Sequence, residues 1–97
     1  MASAPETVAL AIRGPIALDD LPGLCARACR LVDRTPANVV RCDVTAIAAD
    51  AVTVEALARL ELGLRRRGRR AHFRGASSEL LELVDLMGLS SVLRFEP

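Results

Sequence analysis

The chain has no Trp and no Tyr, and Phe73 and Phe95 are its only aromatic rings apart from one histidine. A core must therefore be assembled from Ala, Val, Leu and Ile, within a composition that is 52% hydrophobic. A surface that stacks on bases lacks material, so no nucleic-acid partner is expected. Lys is absent too: all 13 basic residues are Arg, which points to a GC-rich coding sequence and so to a high-GC bacterium. They oppose 12 acidic residues, for a formal net charge of +1. That balance leaves no global field to draw in DNA, acidic substrates or anionic membranes.

Long apolar runs are missing as well. None approaches the roughly 18 residues needed to span a bilayer, and Met1 to Thr7 has no basic segment followed by an apolar one. A cytoplasmic protein without membrane insertion is expected. Cys25, Cys29 and Cys42 make an odd number without secretory context, which favours reduced thiols. Cys25 and Cys29 share a helix face, but with His72 as the one histidine they read better as small buried hydrophobes than as zinc ligands. No metal and no cofactor is expected.

What is present is an alternation of strand and helix patterns. Thr7 to Ile12 reads as a strand ended by Gly14 and Pro15. A helix follows, with Asp19 or Asp20 as N-cap, Pro22 in its first turn, and Leu21, Leu24, Cys25, Ala28, Leu31 and Val32 at the spacing of a buried stripe. A second strand runs through "NVVRCDV" from Asn38, and a second helix through "AVTVEALARLELGLRRRG", with Leu57, Leu60 and Leu64 buried and Gly68 at C′. "RAHFRG" is a third strand, "SSELLELVDLMG" a third helix capped by Ser77 or Ser78 and closed by Gly88, and "SVLRFE" a last strand. The pattern predicts an α/β sandwich: about four mainly parallel or mixed strands with three main helices. The organisation expected is a loose segment over residues 1–6 and a single domain over 7–97. Ninety-seven residues suffice for one core, burying about 60 to 65% of the unfolded surface.

An enzyme would need a nucleophile with its base, a carboxylate pair or a phosphate-cradling glycine loop, and none of these stands in the sequence. His72 falls in mid-strand, where a packed histidine is the ordinary reading. Arg65, Arg66, Arg67, Arg69, Arg70 and Arg74 form the one charge run. It reads either as cations complementing the negative end of the second helix, or as a docking patch for an acidic or phosphate-rich partner. Glu55, Arg59, Leu62 and Arg66 recur at steps of four, three and four, which puts Leu62 inside a polar stripe. With Ala51, Val52 and Ala58 it makes an apolar strip framed by charge, as a modest partner surface does.

Three segments carry a resemblance: "VALAIRGPIALDDLPGL", "NVVRCDVTAI" and "SSELLELVDLMGLSSVL" with its Leu-x-Gly-Leu turn. Together they resemble the STAS domain of bacterial anti-sigma factor antagonists and sulfate-transporter tails, over nearly the whole chain. In that family the central strand leads to an Asp, two small hydroxyl residues and a Gly at the start of the second helix, and a partner anti-sigma kinase phosphorylates the second hydroxyl. Asp50 matches the Asp; Ala51 and Val52 stand in the hydroxyl positions and Thr53 in place of the Gly. The loop is one residue short, and the family's usual first strand has no counterpart ahead of Thr7.

The resemblance implies a non-catalytic protein-interaction module in transcription regulation. It would bind an anti-sigma factor, serine kinase or similar regulator through Asp50, Ala51, Val52, Thr53, Glu55, Ala58, Arg59 and Leu62, as a monomer or weak dimer. Val52 cannot accept a phosphate, so the usual switch is absent and Thr53 is left as the one displaced acceptor. Two alternatives are an accessory subunit of a lipid-transport ATPase and a module binding a nucleotide or other anion at the arginines and the helix mouth. The Asp50 carboxylate opposes an anion there.

Overall fold

Val40, Cys42, Ala71 and Phe73 are buried while Arg41, Asp43, Arg70 and Arg74, which alternate with them, are exposed. That period of two is the mark of strands with one face packed and one face wet. The computed structural model describes residues 7–14 and 16–96. The expectations of a loose segment over residues 1–6 and of a strand-ending Pro15 fall outside them.

The element order is β1 (Thr7–Ala11), a 3-10 turn (Leu18–Asp20), α1 (Leu21–Asp33), β2 (Val39–Asp43), α2 (Ala51–Arg65), β3 (Arg70–Arg74), α3 (Ser78–Leu86) and β4 (Arg94–Phe95). The four strands form one sheet in the order β1-β2-β3-β4, and every pairing is parallel. Each crossover steps the same way, so right-handed connections stack the three helices on one face. Between the helices and the sheet Val32, Leu57, Leu60, Leu64 and Leu80 from the helices meet Phe73 from β3, all essentially without exposure. The opposite face carries Ala9, Arg41, His72 and Arg94 in one cross-strand row, and Ala11, Asp43 and Arg74 in the next.

Helix ends follow local chemistry. Gly68 (φ 71°) closes α2: its N–H donates to Arg65 O at 2.9 Å and Arg69 N to Leu64 O at 2.8 Å, the paired bonds of a left-handed C′ glycine. Gly88 (φ 76°) repeats the arrangement after α3, where Leu89 N donates to Val84 O at 3.0 Å. Ser77 caps α3, its Oγ accepting from Leu80 N at 3.1 Å. Asp20 precedes α1 without capping it; its carboxylate instead accepts from Ala17 N at 3.0 Å and closes the 3-10 turn.

Three expectations change. The last strand is two residues long, because Val92 N and Leu93 N both donate to Leu89 O and coil that segment into a turn. Leu31, expected in the buried stripe of α1, is half-buried. Of the thiols, only Cys42 is buried; Cys25 and Cys29 are half-buried, though all three are free.

Candidate functional site

The turn from β2 into α2 lies at the carboxyl end of the sheet, the edge where open α/β sheets usually place ligands and partners. Asp43, the last residue of β2, starts it. Its Oδ1 accepts from the Thr45 hydroxyl at 2.6 Å and from Thr45 N at 2.9 Å. The Thr45 hydroxyl, then its N–H, and further off Arg74 and Arg13, hold the Asp43 carboxyl below its ordinary range. Two glycines press the loop from either side. A Cβ on Gly75 (φ 81°) would stand 2.2 Å from Thr45 Oγ1, and one on Gly14 would stand 2.8 Å from Ala48 N. Gly14 N also donates to Ala46 O at 3.2 Å. The loop is thus wedged between the ends of β1 and β3, which fixes where α2 begins.

Asp50 begins it. With extended backbone (φ −138°, ψ 169°), its Oδ1 accepts from Thr53 N at 2.8 Å, the ordinary geometry of an aspartate N-cap. The carboxylate occupies the positive end of the helix, the place where an anionic ligand would have to sit.

No family model matches this sequence, and no curated protein sequence matches it. Solved structures do. The protein TM1081, known from an NMR structure, aligns over 98% of this chain and 77% of its own, at TM-score 0.77 and 7% identity. The anti-sigma factor antagonist SpoIIAA, in its unphosphorylated form, aligns over 100% of this chain and 85% of its own, at TM-score 0.69 and 12% identity. The fold is that of a STAS-like domain. At such identities the likeness is one of backbone path, so the residues of this STAS-like domain must be placed one at a time.

Ala51 is exposed and Val52 half-buried at the first turn of α2. Thr53, expected on the same surface, is fully buried, and its Oγ1 has no hydrogen-bond partner. Its hydroxyl therefore points away from any kinase that could dock at the helix mouth. Ala58 is half-buried against the core. Glu55 and Arg59 form an ion pair at 3.0 Å, one helical turn apart, and Leu62 beyond them is 50% exposed. The structure brings Glu55, Arg59 and Leu62 together with Leu18, which the sequence reading did not single out, and with Leu21, Pro22 and Cys25, which it placed in the first helix but not on a partner surface; these four form the other wall of a groove of about 790 Å³ between α1 and α2. Leu18 is 60% exposed. A lone leucine beside Asp19 gave no periodic signal, so only the folded chain could set it opposite Leu62.

The arginine run is not one patch. Arg65 pairs with Glu61 at 2.5 Å, Arg67 with Asp33 at 3.1 Å, and Arg69 donates to the carbonyls of Thr35 and Ala37. These three tie the end of α2 and the turn after it to the end of α1, to the loop before β2 and to the turn before β4. Arg66 borders the groove, whereas Arg70 and Arg74 belong to the open face of the sheet.

Proposed function

We propose that this STAS-like domain is a non-catalytic interaction module that binds a regulatory protein, of the anti-sigma factor or serine kinase kind, through the Asp50 turn and the outer side of α2. The observation that carries the reading is the pair of exposed leucines, Leu18 and Leu62, flanking one groove whose charged rim is Glu55, Arg59 and Arg66. An apolar centre within a charged rim is how partner surfaces are built, and the fold likeness to an anti-sigma factor antagonist supports the choice of partner class. Regulation would be by occupancy: Val52 has no oxygen to modify and Thr53 keeps its own inside.

The test is quantitative affinity capture from native cells with the wild-type chain, Leu62→Asp, and Arg27→Ser as a control outside the groove. The expected result is a regulator retained by wild type and Arg27→Ser and lost with Leu62→Asp. Capture of the same proteins by Leu62→Asp would overturn the proposal.

A further inference from the structure

Parallel sheets are ordinarily covered on both faces, yet among the described residues all three helices pack on one and no element covers the other. The face left open is charged with one dominant sign. Arg41, Arg70, Arg74 and Arg94 stand on it around His72, against two carboxylates, Asp43 and Glu96. Glu96 is taken by Arg41 at 3.0 Å and lies 3.7 Å from His72 Nδ1, and Asp43 is bonded to Thr45. Among the described residues no ion pair within 4.0 Å engages Arg70, Arg74 or Arg94. A chain whose formal net charge is only +1 thus sets three unpaired arginines on one surface that no described element covers.

We infer that this face binds an extended acidic peptide segment of a partner, with Asp or Glu at alternate positions. In an extended strand alternate side chains on one face repeat about every 6.6 Å, and Arg70, His72 and Arg74 present cationic or polar groups at that same step along β3. A peptide laid along β3 meets them in phase, while Arg41 and Arg94 flank it one strand away on either side. A single-stranded nucleic acid would find the charge but not the stacking: Phe73 is buried on the helix side, and Phe95 lies against it at a ring-centre distance of 5.4 Å. This surface lies on the other side of the sheet from the groove between α1 and α2, and the inference does not depend on the groove having a partner.

The probe is a labelled peptide of alternating Glu and Ser, with a single-stranded oligonucleotide of equal charge for comparison. At low salt the peptide is expected to shift the backbone amide resonances of β2, β3 and β4, and to lose affinity steeply as salt is added. Arg70→Ser with Arg74→Ser, both exposed and so harmless to folding, should weaken it about tenfold, while Arg66→Ser and Leu62→Asp leave it unchanged. Amide shifts confined to the groove or to the end of α2 would overturn the inference. So would the absence of peptide binding at low salt, or an oligonucleotide that binds the same face more tightly than the peptide.

Discussion

Glu61 Oε1 accepts the backbone N–H of Ala71 at 2.8 Å, across the gap between α2 and the start of β3. The bond mends a ladder that stops short. β3 and β4 pair at His72 with Arg94 and at Phe73 with Phe95, and Glu96 N donates to Phe73 O. Continued two residues back, the same register would aim Ala71 N–H at Val92 O. The turn before β4 prevents that, and the two groups are satisfied separately: Ala71 N by Glu61, and Val92 O by Arg65 Nη2 at 3.3 Å, while Arg65 Nε holds Glu61 Oε2. An ion pair stands in for one missing rung of the sheet.

Glu61 is nearly without exposure, so removing its carboxylate strands the buried Ala71 N–H, while the half-exposed Arg65 can turn to water. Glu61→Leu should destabilise by about 2 to 4 kcal/mol. Glu61→Gln, whose amide oxygen still reaches Ala71 N, should cost only about 1 kcal/mol. Urea unfolding of the two variants checks the order; equal losses would show that the bond to Ala71 contributes nothing.

The two turn glycines Gly75 and Gly68 share a positive φ but differ in surroundings. Around Gly68 an added Cβ meets nothing within 4 Å, whereas at Gly75 it meets the Thr45 hydroxyl. Gly68→Ala should therefore cost only the left-handed penalty of about 1 to 2 kcal/mol. Gly75→Ala adds a collision and should cost about 2 to 4 kcal/mol. It should also shift the amide resonances from Thr45 to Asp50, because Thr45 must move. Similar losses and an unmoved loop would contradict the wedge described for this turn.

The cysteines should separate into two kinds. Burial pushes the Cys42 thiol up to about 12 from 9.0, with Glu61 adding to the effect. Burial, then the neighbouring Cys29, raises Cys25, with Arg59 acting the other way. A thiol reagent near neutral pH should titrate Cys25 and Cys29 slowly in the native protein and Cys42 only after denaturant is added. The linkage sign follows: a thiol whose folded pKa is raised stabilises fully below 9.0, and that stability is lost as pH rises from 9.0 toward about 12. Melting temperatures of the wild type should fall over that window more steeply than those of Cys42→Ala.

Much of this architecture is legible in the sequence because it is local. Gly68 and Gly88 stand just past apolar stripes and do close the helices, and Ser77 stands just before α3 and does cap it; Asp20, expected to cap α1, closes a 3-10 turn instead, and Asp50 caps α2. The alternation of β2 and β3 reads directly as one buried and one exposed face. What is not legible depends on distant partners. Glu61 sits four residues after Leu57 and three before Leu64, on the buried stripe, with Arg65 one turn on; that spacing was the available signal, but its purpose exists only once β4 is seen to be short. Leu18 becomes part of a groove only when α1 and α2 pack, and Arg70 parts from Arg69 because Arg69 still belongs to the turn that closes α2 while Arg70 opens β3.

Thr53 is a hydroxyl kept where a methyl would serve. Its Oγ1 is buried without a partner, an arrangement that ordinarily costs about 1 to 3 kcal/mol. Thr53→Val keeps the shape and removes the unpaired group, so the variant should be more stable than wild type by about 1 kcal/mol in urea unfolding. Protein isolated from native cells should show no phosphate on this residue by intact mass. A phosphate mapped to Thr53, with regulation lost in Thr53→Val, would mean that the helix mouth opens and that the switch has shifted by one residue.

Val52 offers the sharpest separation of binding from folding. It is half-buried at the first turn of α2, beside the Asp50 cap and one turn before the Glu55–Arg59 pair. Val52→Asp places a third carboxylate in that short stretch, at a helix end whose positive dipole tolerates it, so the fold should survive with a stability change within about 1 kcal/mol. A docked partner should not tolerate it, because the new charge would be desolvated in an apolar contact and would mimic the charge that phosphorylation adds. Captured partner should therefore fall with Val52→Asp as it does with Leu62→Asp, while both variants melt as cooperatively as wild type. Undiminished capture by Val52→Asp would confine the partner surface to the groove around Leu18 and Leu62 and remove the Asp50 turn from it.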